Sequence, residues 1–525
     1  MSDFAEHCRK IVQRFLLTAI VVDDELNLSK SPPPHGKLKT PNSSTATSEE
    51  ESGNQQQRRS LHVDRITASF SREGMVCGVV SPQEGDDDVL AKTVSRADII
   101  ILDWRLGRET EKNALPLLKQ ILSEGPQHQL RLIAIYTGEN DPGVIREEIV
   151  SNIGGFETNG RDAPADHSSH TIDFRACRIV IYLKDGTHTA SVNSKRVVGE
   201  EDLPNHLISD FASKVEGLLP SVVLAGLTAV RENVYRVVER FGPSLDPAFL
   251  AHRACLPQPQ ESEQHIVEQI ASELHGIMDD AIITGSSPAG IEAIKHWFFK
   301  RFGDDEVTFS PMHKHSVEEV LDMLERGLGN IQNRPISLNK FDILSHGFSN
   351  GAANSSDLDR RLASTMNFRQ VLGKAQRQLS MGTVIRQVES ERNEFLVCVT
   401  PKCDSVRLIE KTSFLFLSLS DPEPGTDQIV VPVGENSFRR MSISMKPSDW
   451  RIMDFEPDFG QQCVLAYPDN SDHVFMFHDA NNQEYRWLGE LKPEFAQSIA
   501  QTIAGRMSRV PLNKSEWLRR SEGKG

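Results

Sequence analysis

The sequence predicts an α/β protein: a doubly wound, five-stranded parallel sheet, then a helical region, then an α+β C-terminal domain. Three observations carry this. Apolar runs of strand length alternate with helix-period stretches between residues 18 and 184. Several of these runs are apolar at nearly every position, as in parallel strands buried on both faces. Four of them end abruptly on a side chain able to do chemistry.

Phe4 to Leu17 has near-helical apolar spacing and leads into Thr18-Ala19-Ile20-Val21-Val22, a strand that ends on Asp23-Asp24. Residues 27 to 60 are rich in Ser, Pro, Thr, Gln and Glu, with three prolines at 32–34, and are expected to be a disordered insertion. Leu61 to Phe70 resumes helical spacing, and Met75 to Val80 reads as a strand. Asp88 to Ser95 reads as a helix leading into Ile99-Ile100-Ile101-Leu102, a strand that ends on Asp103. Ala114 to Leu122 is helical in period, Arg131 to Tyr136 is a strand ending on Thr137, and Val144 to Ile153 is a helix. A polar loop follows, and Cys177 to Leu183 is a strand ending on Lys184. Open α/β sheets place their chemistry at the carboxyl ends of the strands. One acid at a strand end is an ordinary turn. Asp-Asp, Asp, Thr and Lys on four strand ends form a constellation.

These residues resemble the receiver domain of two-component response regulators, which has a flavodoxin-like fold. The matching segments are Val22-Asp23-Asp24, Leu102-Asp103, Tyr136-Thr137-Gly138 and Tyr182-Leu183-Lys184. The resemblance implies that Asp103 is the phospho-acceptor and that a histidine kinase is the donor. It implies that Asp23, Asp24, Asp103 and the backbone carbonyl of Arg105 hold Mg²⁺, and that Thr137 and Lys184 meet the phosphoryl group. The residue chemistry agrees. Mg²⁺ takes oxygen ligands and offsets repulsion between anions, and a lysine is a point charge suited to a phosphoryl oxygen. Two features depart from or leave open the family pattern. Asp185 stands where the family usually has proline. Tyr182 reads either as the family's aromatic switch or as a core tyrosine.

Beyond the receiver, taken as residues 1–199, apolar residues at helical spacing define a helical middle domain at 200–330. His252 and His265 lie on plausible helices but in no phosphotransfer motif, and His313-Lys314-His315 reads as a loop. Residues 331–365 are polar and irregular. Short strands are expected at 395–399, 413–419, 429–431, 441–445, 463–467 and 473–477, followed by a helix from Pro493 to Met507, in a C-terminal domain at 331–525. Cys398 and Cys403 read as strand cysteines rather than zinc ligands.

The whole arrangement resembles large receiver proteins of anti-phage two-component systems of the Detocs type. That implies a phosphate buffer acting beside a second receiver–effector protein, with no enzyme activity beyond receiver chemistry. The alternatives are an output carried by the C-terminal domain and a non-phosphorylated scaffold. A net charge of −16 disfavours binding to nucleic acid or anionic membrane. Seven scattered cysteines argue against a disulfide framework, and no apolar stretch is long enough to span a bilayer. A cytoplasmic location is expected.

Overall fold

A computed structural model describes residues 3–27, 60–82, 87–106, 113–124, 130–153, 170–174, 176–185, 196–259, 261–284, 287–303, 306–311, 313–330, 343–371, 376–388, 394–423, 428–434, 436–469 and 474–507. The insertion expected at 27–60 lies, from 28 to 59, outside these residues. The chain divides into two compact units, Met1–Asp304 and Asp305–Gly525.

The first unit begins with α1 (Asp3–Phe15) and β1 (Thr18–Val22). Two-residue strands β2 (Leu26–Asn27) and β3 (Leu61–His62) pair with each other. There follow α2 (Val63–Arg72), β4 (Val76–Val80), α3 (Asp87–Val94), β5 (Ile99–Leu102), α4 (Leu115–Glu124), β6 (Arg131–Thr137) and α5 (Pro142–Asn152). Next come β7 (Thr171–Phe174), β8 (Cys177–Lys184), β9 (Val197–Val198) and α6 (Leu203–Lys214). The main sheet has the order β4-β1-β5-β6-β8-β7, with β9 beside β8. β4, β1, β5, β6 and β8 are the five expected parallel strands. The expectation of five was short by two: β7 adds antiparallel to β8, and β9 adds in parallel to its end.

Both faces of the sheet's centre are covered, which is why β1, β5, β6 and β8 are apolar at most positions. Ile100, Ile133 and Ile179 face α3, α4 and α5, whose Val94, Leu118 and Ile149 complete one core. Ile101, Ala134 and Val180 face the other way, onto Val12 of α1, Phe70 of α2 and Phe211 of α6. Asp98 sets the register between β1 and β5. Its carboxylate accepts from the Leu17 and Thr18 N–H groups at 2.9 and 3.0 Å. α5 starts where Asp141 accepts from the Gly143 and Val144 N–H groups and Pro142 fixes the first turn.

The unit continues in helices: α7 (Leu218–Glu232), α8 (Val234–Arg240), α9 (Asp246–Cys255), α10 (Glu261–Thr284) and α11 (Ile291–Phe302). Among the described residues no single helix is long and apolar enough to cross a membrane.

The second unit opens with the hairpin β10 (Val307–Ser310) and β11 (His313–His315), then α12 (Val317–Arg326), α13 (Leu344–Phe348) and α14 (Ser355–Asn367). His313-Lys314-His315 is therefore a strand rather than a loop, held by pairing with Val307 and Thr308. The stretch expected to be irregular up to 365 carries two helices. Contacts group residues 305–330 with this unit rather than with the helices before them. The remaining strands are β12 (Phe368–Arg369), β13 (Thr383–Gln387), β14 (Phe395–Cys398), β15 (Thr412–Ser420), β16 (Gln428–Gly434), β17 (Ser437–Ile443) and β18 (Trp450–Phe455). They continue as β19 (Tyr467–Pro468), β20 (Phe475–His478) and β21 (Glu484–Leu491), and α15 (Pro493–Met507) ends the unit. β12 to β21 form one ten-stranded sheet, antiparallel throughout.

Alternation along β15 sends Leu417 and Leu419 into a core with Ile499 and Ile503 of α15, and Phe414 and Phe416 into a second core with Phe455 and Phe477. The strand expected at 463–467 is a set of isolated bridges, apart from Tyr467 itself.

Candidate functional site

The parallel strands bring their carboxyl ends to one edge, and the residues just past those ends meet there. The Asp23 N–H donates to the Val80 carbonyl at 3.2 Å and the Asp103 N–H to the Val22 carbonyl at 2.9 Å. Each acid is thus locked to its neighbouring strand. Thr137 and Lys184 are the last residues of β6 and β8.

The Lys184 ammonium lies between two carboxylates. It donates to Asp23 Oδ2 at 2.9 Å and to Asp103 Oδ2 at 2.6 Å. Asp23 is 1% exposed and Lys184 5%. Burial pushes the Asp23 carboxyl up to about 6 from an ordinary 3.8; Lys184 opposes this and the Asp103 carboxylate adds to it. Burial pulls the Lys184 ammonium down, but Asp103 and then Asp23 outweigh it, and the group ends above its usual value. The one Lys184 ammonium thus bonds both carboxylates.

The loops that follow hold these groups in place. Asp23 Oδ1 accepts from the Glu25 N–H at 2.7 Å and Asp103 Oδ1 from the Arg105 N–H at 3.3 Å. Such turns fix a carboxylate against its own backbone. Thr137 Oγ1 accepts from the Glu139 N–H at 3.2 Å, and Asp24 is half-buried at the end of β1. The Arg105 guanidinium pairs with the Glu139 carboxylate, tying the loop after β5 to the loop after β6.

The structure therefore brings Asp23, Asp103 and Lys184 into contact. It places Thr137 and Asp24 at the same edge. Among the described residues no group of three or more His, Cys, Asp or Glu side chains is drawn together around one point. Between Asp23 and Asp103 that place is taken by Lys184.

Tyr182 is a buried tyrosine bound to α6. Its hydroxyl donates to Asp210 Oδ2 at 2.5 Å, the Arg196 guanidinium lies 5.1 Å from its ring centre, and His206 meets it edge-on at 5.7 Å. Tyr136 donates to the Val198 carbonyl at 2.9 Å. Lys184 and Tyr136 also line a cavity of about 590 Å³ with His62, Arg65 and Glu200. The Glu200 carboxylate accepts from the His62 N–H at 2.9 Å.

Sequence reading missed Glu139, Asp210 and Glu200. A signal existed for Asp210: it falls on the same helical face as Leu203, Leu207 and Phe211, where an acid is out of place unless it is bonded. The other sequence candidates lie elsewhere. His252 and His265 are exposed and face each other, Nε2 to Nδ1, at 3.2 Å. Cys398 is buried, which pushes its thiol up to about 12, and Cys403 is exposed beside Asp404.

Residues 15–189 match the family described as Response receiver domain. No curated protein and no solved structure matches the chain. The parallel sheet and the acids, threonine and lysine at its edge agree with the family match. Residues 15–189 are a response receiver domain of the two-component signalling class, with a flavodoxin-like fold. Residues 190–525 lie outside the match.

Proposed function

We propose that Asp103 accepts a phosphoryl group from the phosphohistidine of a histidine kinase. A carboxylate oxygen of Asp103 forms the new O–P bond. The donor's P–N bond breaks, its electron pair returns to the imidazole, and that ring takes a proton from solvent. The observation that carries this is the buried Lys184 ammonium, bonded at once to Asp23 and Asp103.

Asp23, Asp24, Asp103 and the Arg105 carbonyl offer only oxygen donors, the set Mg²⁺ prefers, and Mg²⁺ bound there supplies the positive charge the two carboxylates lack. Lys184 is placed to pair with a phosphoryl oxygen on Asp103. Thr137, whose oxygen accepts from Glu139, keeps its own proton for a second phosphoryl oxygen. Drawing Thr137 inward pulls on the Glu139 loop and so on the Arg105–Glu139 pair, which is a route from phosphate to surface.

The test is labelling with Mg²⁺ and acetyl phosphate, read as added phosphoryl mass that is stable in acid and lost in base. Asp103→Asn is expected to abolish it. An adduct that persists in the variant overturns the assignment.

At the pathway level the chain acts as a phosphoryl sink, the reading supported by its resemblance to anti-phage receiver proteins. Added to a phosphorylated kinase and a second receiver protein, it is expected to drain label from that receiver. An output switched by Asp103 is the second reading. It is favoured by the size of the C-terminal unit, which holds a ten-stranded sheet and two cores. An activity that follows phosphorylation, without drainage, selects it.

A further inference from the structure

We propose that Tyr136 is a positioning residue that aims the Lys184 ammonium at Asp103. The role rests on Asp103 being the phosphoryl acceptor. Asp185 follows Lys184, where a proline is expected. A proline restricts the backbone of the residue before it and an aspartate does not, so Lys184 needs another restraint. It also has competing partners. The cavity beside it is lined by Asp185, Glu200, Glu201 and Asp202, with Arg65 among them. Carboxylates there draw an ammonium away from Asp23 and Asp103.

Sheet register supplies the restraint. Tyr136 on β6 stands opposite Tyr182 on β8, and Lys184 lies two residues further along β8. Side chains alternate along a strand, so Tyr136 and Lys184 share one face. They are diagonal neighbours, within reach of an aromatic ring and a long side chain. The Lys184 ammonium lies over the Tyr136 ring, 5.8 Å from its centre. At that range the face of a ring attracts a cation, and more strongly when both are out of water. Tyr136 is 3% exposed and Lys184 5%.

The hydroxyl fixes the ring. It donates to the Val198 carbonyl at 2.9 Å, and Val198 is the β9 residue paired with Lys184 itself. One end of Tyr136 thus holds the strand beside Lys184, while its face holds the ammonium. A leucine at this position fills the core but makes neither contact.

The initial rate of acetyl phosphate labelling, measured on the full chain with Mg²⁺, tests this. Tyr136→Leu is expected to slow labelling about tenfold. Tyr136→Met, also without a ring, carries the same expectation should the leucine variant fail to fold. Tyr136→Phe keeps the ring and is expected to lose less. Val180→Ala opens a gap in the same core, on the same face of β8, and is expected to label at the natural rate. A natural chain that takes no label overturns the assignment of Asp103, and this role with it. A natural chain that labels, with Tyr136→Leu or Tyr136→Met equally fast, overturns the role of Tyr136 alone. So does Val180→Ala slowed as much as the ring-free variants, which marks core damage, or Tyr136→Phe as slow as they are.

Discussion

At the scale of single residues, the site is held by an imbalance. Asp23 and Asp103 share the Lys184 ammonium, and burial pushes the Asp23 carboxyl up to about 6 against the pull of Lys184. The sign follows from linkage. A carboxyl whose folded value lies above its unfolded one, 3.8, contributes stability at low pH and loses it as pH rises to about 6. Asp23→Asn removes that loss. It is expected to lessen the decline in stability between pH 4 and 6. At neutral pH it is expected to stabilise the protein by on the order of 1–3 kcal/mol. Mg²⁺ is expected to raise the melting temperature of the natural protein and to lose that effect in the variant. Thermal melts across pH, with and without Mg²⁺, check both points. Parallel pH curves for the two proteins contradict the account. Asp23, Asp103, Thr137 and Lys184 were legible in the sequence because an apolar strand has a visible end, and what stands at that end must lie at the sheet edge. The partners Glu139, Asp210 and Glu200 were not legible, because each is reached through a loop or helix whose path the strand pattern does not fix.

At the scale of elements, the same physics explains what was found and what was missed. β1, β5, β6 and β8 are buried on both faces, so their residues form unbroken apolar runs. β7 is a four-residue edge strand with an alternating pattern, Thr171-Ile172-Asp173-Phe174, and it was lost in the polar stretch before it. β18 mixes exposed Arg451 and Ile452 with buried Phe455, and so resembles a loop until its partner β15 is known. α6 falls among the helices expected beyond residue 199, and it packs on the receiver's sheet. Its Leu207 and Phe211 fill the core, and Asp210 holds Tyr182. Tyr182→Phe removes the hydroxyl that donates to Asp210, leaving the carboxylate to Arg196 at 3.4 Å. The expected cost is about 1–3 kcal/mol in a denaturant melt. Acetyl phosphate labelling of Asp103 is expected to be unchanged, since Tyr182 points to α6 and not to Lys184. A variant as stable as the natural protein shows that the hydroxyl does not hold α6.

At the scale of the whole molecule, the chain carries separate cores. Leu118 and Ile133 belong to the receiver unit, and Phe414 and Phe416 to the C-terminal unit. Ligand and mutation therefore sort the unfolding transitions. Mg²⁺ with beryllium trifluoride, a phosphoryl mimic, is expected to bind where Asp103, Asp23 and Lys184 meet. Binding to the folded state alone adds about 2.7 kcal/mol at a hundredfold excess over Kd. Calorimetry is expected to show two transitions, with the mimic raising one of them. Phe416→Ala removes a fully buried ring, at a cost of about 3–5 kcal/mol, and is expected to lower the other. Leu118→Ala is expected to lower the transition that the mimic raises, by about 2–5 kcal/mol. If the mimic and Phe416→Ala move the same transition, the two units unfold as one cooperative body, and the phosphoryl site is then coupled to the C-terminal sheet through the stability of the whole chain. If they move different transitions, phosphorylation reaches the C-terminal unit only through surfaces that change shape, which puts the Arg105–Glu139 loops first among the places to look.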